Sequence, residues 1–218
     1  MNVAVFIKYF ARILTVFLIL PLHECAHAWV AKKMGDDTAS LSGRITVNPL
    51  AHIDIVGCLL IVLTGFGWAK PVPINPSRMK DSRLGITLTA LAGPVSNLLA
   101  AFVMMVVLQI LYGLGVFELN ENMSYLLLLL KFFVQVNIGL AVFNLIPIPP
   151  LDGDKVLSYF APWKYKMWMQ QHQQIISIVF LIILVTGVLS TPLGWIDSKI
   201  YSLFYNITKW IPIVLGAK

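Results

Sequence analysis

One short stretch, Phe17–Trp29 (FLILPLHECAHAW), holds side chains of the types and spacing that metal chemistry needs. His23 and His27 are four residues apart, so on a helix both imidazoles leave one face about a turn from each other, near enough to grip one metal ion, with Glu24 beside them. The pattern is H-E-x-x-H, in which two histidines ligate zinc and a glutamate serves as general base. The ten uncharged residues Ile13–Leu22 run straight into it, so the motif lies in a segment apolar enough to enter a bilayer, where an ionisable group is costly and points to function. The same stretch also fits a secretory signal peptide, with Lys8 and Arg12 as its charged region and Ala26-His27-Ala28 as a small-x-small cleavage site.

A catalytic zinc takes three protein ligands and keeps one position open, and this motif supplies only two. A carboxylate is offered further on, in Asn144–Asp154 (NLIPIPPLDGD). Pro147, Pro149 and Pro150 cannot continue a helix, and Gly153 frees the backbone immediately after Asp152. Alone, this reads as a proline-rich helix terminus with Asp152 as N-cap of a short helix from Lys155. Together with the histidines it makes Asp152 the candidate third ligand. The other acids sit in polar loops (Asp36, Asp37, Asp81, Glu118, Glu121), near a later span end (Asp197), next to the candidate ligand (Asp154) or beside the second apolar segment (Asp54).

The elements that must position these groups are membrane elements. With 58% hydrophobic and 12% charged residues and a mean hydropathy of +0.82, the 218-residue chain is far more apolar than a soluble domain. A single membrane-embedded domain, 1–218, is the simplest reading. The net charge of +6 is spread over the flanks of apolar segments and forms no patch for nucleic acid. Cys25 and Cys58 form no C-x-x-C and indicate neither a disulfide framework nor a redox motif.

Val3–Val30 is long enough to span, with Pro21 expected to break or kink it one turn before the histidines, and with Lys8 and Arg12 snorkelling to the interface. Leu41–Val47 is expected to form a short strand and Lys70–Pro76 an edge strand or extended segment. Between them Ile53–Phe66 is apolar for only fourteen residues, a length suited to a re-entrant or interfacial segment, with a tight turn at Gly65-Phe66-Gly67. Leu84–Phe117 is uncharged for 34 residues, but Gly93-Pro94 interrupts it, so the second span is expected from about Val95, with Ser96 and Asn97 needing partners inside the bundle. Tyr125–Ile146 is the third span and carries Asn137 and Asn144 inward. Trp163, Tyr165 and Trp168 read as an interfacial belt, Gln173–Ile196 as a further span, and Ile200–Leu215 as a short last span or a surface helix. His172 reads as an interface residue and His52 as hydrogen-bonded within its loop.

The chain resembles the site-2 proteases, the intramembrane zinc metalloprotease family. The resemblance rests on His23, Glu24 and His27 of H-E-x-x-H, and on Asn144, Pro147, Pro150, Asp152 and Gly153 of N-x-x-P-x-x-P-x-D-G. It extends over Gly43–Asp54 (GRITVNPLAHID), Gly65–Asn75 (GFGWAKPVPIN) and Ala92–Asn97 (AGPVSN), so that five ordered motifs cover roughly residues 15–157 and leave no place for the signal-peptide reading. It implies an all-α polytopic membrane protein: a three-span core (1–157), one or two C-terminal spans (158–218), and a short β or re-entrant segment between spans one and two. It also implies that Asn144 helps to hold the substrate carbonyl or oxyanion, and that the Gly-x-Gly loop and the adjoining extended segment present the substrate as a strand. No stretch has room for an inserted PDZ domain or a nucleotide-sensing pair.

The chemistry expected is hydrolysis of peptide bonds in transmembrane or membrane-proximal substrates. One Zn2+ per chain is held by His23, His27 and Asp152, and Glu24 acts as general base. Asn48, His52 and Asn75 are expected to wall a polar inlet for water. The partners are a membrane protein or peptide substrate and the lipid bilayer. A catalytically silent adaptor and a metal transporter are rival readings of the same scaffold, and Glu24 counts against both because neither needs a base beside the ligands. Seven Lys or Arg lie in 32–83 against none in Glu118–Asn122, which puts the active site toward the cytoplasmic side of a cell membrane, plasma or inner.

Overall fold

The computed structural model describes residues 3–64, 67–119 and 122–216. Among the described residues the regular elements are all helices, and four of them are long and apolar enough to cross a membrane: Tyr9–Lys33, Ser82–Gly113, Met123–Asn144 and Trp163–Val185.

The first is built as α1 (Val3–Leu14) and α2 (Leu20–Lys33), joined by a π turn, Thr15–Ile19. Proline lacks an N–H and its ring crowds the preceding turn, so the expected disturbance at Pro21 takes the form of a widened turn in which the Leu20 N–H reaches back to the Thr15 carbonyl. The helix is not broken. The extra residue turns the histidine face relative to α1.

After a single turn, α3 (Thr38–Leu41), the chain does not form the strand expected over 41–47, and the described residues contain no β-ladder. Gly43 at φ +66° and bends at Ile45–Thr46 turn this segment too sharply for an extended run. The helix α4 (Ile55–Thr64) then runs up along α1, and the chain returns as an extended segment from Gly67. That is a re-entrant element made of helix and extended chain, without strand pairing. Residues 65 and 66 of the expected Gly65–Gly67 turn lie outside the described residues. Arg12 finds a specific partner: its guanidinium caps the C-terminus of α4 through the carbonyls of Val62 (2.8 Å), Leu63 (2.8 Å) and Thr64 (2.9 Å). The last turn of a helix presents carbonyls and the negative end of the helix dipole, which suits a cation such as this half-buried guanidinium.

The second span, α5 (Ser82–Gly113), passes through Pro94 without interruption. Pro94 removes only the one helical hydrogen bond to the Ala90 carbonyl, a loss that a helix packed inside a bundle tolerates. The span therefore begins thirteen residues before the expected Val95, at Ser82, with the carboxylate of the preceding Asp81 accepting from the Leu84 N–H.

The third span is α6 (Asn122–Asn144), followed by an irregular stretch to α7 (Asp152–Phe160). The expected span over Gln173–Ile196 is instead two helices, α8 (Trp163–Val185) and α9 (Ser190–Thr208), separated by a turn in which Gly187 adopts φ +72°. Past α9 lies α10 (Trp210–Val214). The core lies where α5 and α6 meet, around Ala101, Met105, Leu108, Val134, Ile138 and Val142, and α9 covers it with Leu193, Ile200, Tyr201 and Phe204. Phe204 stacks edge-on against Phe102 at 5.3 Å, and Pro212 and Leu215 reach Gly113, so α9 and α10 pack along α5 to its far end.

Candidate active site

Three helices converge on the histidines. His23 and His27, both buried, face each other edge-to-face with ring centroids 4.6 Å apart and Nε2 atoms 3.0 Å apart. Against them lies one stripe of α5, Thr89, Gly93 and Asn97, each four residues from the next. His27 Nδ1 is 2.6 Å from the Thr89 carbonyl, and His23 Nδ1 is 2.6 Å from Asn97 Oδ1. Between these two acceptors the helix must come close to both rings. A Cβ on Gly93 would lie 2.5 Å from His23 Cε1 and 2.5 Å from His27 Nε2, so only glycine leaves the imidazoles where they are.

The carboxylate arrives from the end of α6. The three prolines keep Leu145–Leu151 from continuing the helix, and α7 begins at Asp152, with Leu151 and not Asp152 in the N-cap position. Gly153 packs directly on the carbonyls of Leu145 and Ile146, which folds α7 back toward α5. Arg83 at the start of α5 fastens it by stacking on Tyr159 (4.8 Å) and donating to the Tyr159 carbonyl. Asp152 Oδ2 then lies 3.3 Å from His23 Nε2 and 3.1 Å from His27 Nε2, while Oδ1 meets Lys155 Nζ at 3.3 Å. Among the described residues, His23, His27 and Asp152 form a group able to hold a metal ion.

The hydrogen bonds decide what that group can hold. A carbonyl and an amide oxygen only accept, so both Nδ1 atoms carry protons, which in a neutral imidazole leaves Nε2 as a bare lone pair. Two bare nitrogens and a carboxylate oxygen at 3.0–3.3 Å from one another repel unless a cation lies among them. Ligands about 2.0–2.1 Å from a tetrahedral centre are about 3.3 Å apart, close to the spacing found. The donor set therefore fits zinc, and the Nδ1 partners fix ring orientation as in other histidine metal sites.

Glu24 stands beside this group, half-buried, and its Oε2 accepts from the Val72 N–H at 3.3 Å. That amide belongs to the extended segment 67–75, which is held along its length. The Lys70 N–H donates to the His52 carbonyl (2.8 Å), Arg44 Nη2 donates to the carbonyls of Lys70 and Pro71, and the Asn75 N–H donates to Asp36 Oδ2 at 2.6 Å. Burial works against ionisation of Asp36, but bonds from the Thr38 hydroxyl and the Asn75 and Thr38 amides, with Arg78 nearby, outweigh it and hold the carboxyl below its usual range.

Asn144, at the end of α6, has its Nδ2 bonded to the Leu140 carbonyl at 2.9 Å. His52 is buried and bonds the Thr46 carbonyl within its loop, as expected, and half-buried His172 stacks on Trp168. Asn48 and Asn75 cap the turns that follow them through Leu50 and Ser77. Thr89, Gly93 and Lys155 were not singled out from sequence, although the spacing of four in Thr89-Gly93-Asn97 was there to be read.

The profile of peptidase family M50 matches residues 113–187. The chain is 40% identical over 182 residues, 84% of this chain and 81% of the other, to "Putative zinc metalloprotease YwhC" of Bacillus subtilis. It is 29% identical over 192 residues, 85% of this chain and 69% of the other, to the similarly described Rip2 of Mycobacterium tuberculosis. A 29% identity over 149 residues, 68% of this chain and 34% of the other, links it to "Zinc metalloprotease MJ0392" of Methanocaldococcus jannaschii. No solved structure gives a significant match. Such identity across most of both chains, joined to the multi-pass helical fold, means that this protein belongs to peptidase family M50, the site-2 proteases, and is a zinc metalloprotease.

Proposed function

We propose that 1–218 forms one membrane-embedded peptidase domain that hydrolyses peptide bonds in transmembrane or membrane-proximal segments, with one zinc ion held by His23, His27 and Asp152. The observation that carries this reading is the triangle of bare donor atoms at 3.0, 3.1 and 3.3 Å, supplied by α2 and α7 and oriented by α5. Zinc in such a site supplies Lewis acidity, which brings the pKa of water toward about 7. Glu24 takes the proton of the attacking water on its carboxylate and returns it to the leaving amine nitrogen. Asn144 has one amide hydrogen on Leu140 and a second to offer the substrate carbonyl. Helical carbonyls are tied up internally, so the substrate must unwind before it is cut, and the extended segment 67–75 gives the freed backbone an edge to pair with. His23 is ten residues from the end of α2, about 15 Å at 1.5 Å per residue, which supports a site at membrane depth. The basic residues of 32–83 put it toward the cytoplasmic side of the cell membrane.

The test is a pair of variants assayed in proteoliposomes with a fluorescent transmembrane peptide. Glu24→Gln is expected to retain zinc and to lose about 10²–10⁴ in cleavage rate, whereas Asp152→Asn loses both metal and cleavage. Equal cleavage by Glu24→Gln and wild type would remove the proposed base, and an absence of zinc from purified wild-type protein would remove the centre.

A further inference from the structure

Asp197 on α9 takes no part in the chemistry above. It nonetheless sits against a membrane span, at the level of Gly139 on α6, where a Cβ would lie 3.6 Å from its Oδ2. Its Oδ1 is buried and has no hydrogen-bond partner among the described residues. The carboxylate opens on a cavity of about 290 Å³ between α6 and α9, lined by Gln135, Ile138, Gly194, Asp197, Ser198 and Tyr201.

The depth of this cavity is fixed by hydrogen bonds. Asn137 Oδ1 accepts from Asn97 Nδ2 at 3.1 Å, and Asn97 Oδ1 is bonded to His23, so Asn137 stands level with the candidate metal centre. Gln135 and Gly139 are two residues to either side, about 200° around the helix from Asn137 and about 3 Å from it in height. The cavity therefore lies at the depth of the active site but on the far face of α6. Ligands dissolved in water do not reach that depth. A carboxylate there is expensive unless it is paired, and the complement it lacks is a cation or a strong hydrogen-bond donor. Gly139 faces Asp197 beside the cavity, and Gly194, which lines it, has open space where a side chain would stand, so another backbone can approach closely.

We propose that this cleft is an intramembrane docking site for a helix of another membrane protein that carries a lysine or arginine at the depth of Asp197. The occupant is held beside the active site and is not the segment being cut. The cationic group takes Asp197 Oδ1, with Gln135, Ser198 and Tyr201 as further hydrogen-bonding groups around it, and the partner backbone packs over the two glycines.

The experiment uses the full chain, zinc-loaded, in phosphatidylcholine bilayers, with fluorescence energy transfer to synthetic poly-leucine-alanine transmembrane peptides. One peptide carries a single lysine at the depth of Asp197, a second carries it one helical turn nearer the far interface, and a third carries leucine throughout. The matched lysine peptide is expected to bind about tenfold more tightly than the leucine peptide, in the range of one intramembrane polar contact. Asp197→Asn should reduce that preference to near unity, and Gly139→Leu should weaken all binding, while zinc content stays at the wild-type level in both. Equal binding of lysine and leucine peptides, or an undiminished preference in Asp197→Asn, would overturn the proposal and leave a lipid-filled groove. Asp197-dependent energy transfer between two labelled copies of the chain, without any peptide, would also overturn it by making a second copy the occupant.

Discussion

Replacing Asn97 separates what holds the metal from what holds the fold. Asn97 is fully buried and joins three helices: its Oδ1 meets His23 Nδ1 at 2.6 Å on α2, its Nδ2 meets Asn137 Oδ1 at 3.1 Å on α6, and Asn137 Nδ2 closes on the Phe133 carbonyl at 2.9 Å. Asn97→Ala leaves two buried polar atoms unpaired, the His23 Nδ1–H and Asn137 Oδ1. Each costs about 1–3 kcal/mol, for a total of roughly 2–6 kcal/mol of stability. Loss of the orienting partner also lets the His23 ring rotate away from the centre, which for such partners costs 10–100-fold in metal affinity, about 1.4–2.8 kcal/mol. Asn97→Asp restores the acceptor for His23 but offers no donor to Asn137. It should therefore recover zinc affinity and leave the stability loss in place. The assay is chelator competition for zinc, run beside thermal unfolding of the metal-free proteins in the same detergent. Zinc affinity within twofold of wild type in a folded Asn97→Ala protein would refute the reasoning, as would an aspartate variant that binds zinc no better than the alanine variant.

Three further outcomes follow from the same contacts. Gly93→Ala puts a methyl group 2.5 Å from both imidazoles, so zinc affinity should fall by at least tenfold while helix content, read by circular dichroism, is unchanged; normal zinc binding would show that α5 can retreat. Arg12→Met removes three bonds to the end of α4, and at about 2 kcal/mol this should speed amide hydrogen exchange in α4 roughly thirtyfold, leaving α6 exchange unaffected. Asp36 has its carboxyl held below the usual range, so its contribution is fully present above the unfolded value of about 3.9 and is lost as pH falls through the lower folded value. Asp36→Asn should therefore unfold at a lower temperature at pH 6 and approach wild type as pH drops toward 3; a difference that grows with acidity would contradict the sign.

The ligands were legible because their signals are local. Two histidines four apart must share a helix face, and three prolines must end a helix before an aspartate, whatever the rest of the chain does. What sequence reasoning misplaced depends on contacts between spans. Gly93-Pro94 looks like an interruption when the proline is charged with a lost hydrogen bond, yet the bundle absorbs that loss and the helix continues. Reading it as a break hid the stripe of Thr89, Gly93 and Asn97 that runs across it, and so hid the acceptors that fix both imidazoles. Arg12 fits an interface by composition alone, and only the return of α4 to its side gives the guanidinium three carbonyls to cap. Thr89 and Gly93, which carry no local signal of a site role, meet their histidine partners from more than sixty positions away. Such a partner changes the cost of a polar or helix-breaking residue within a span, which is why local rules find the donors of this centre and miss the groups that aim them.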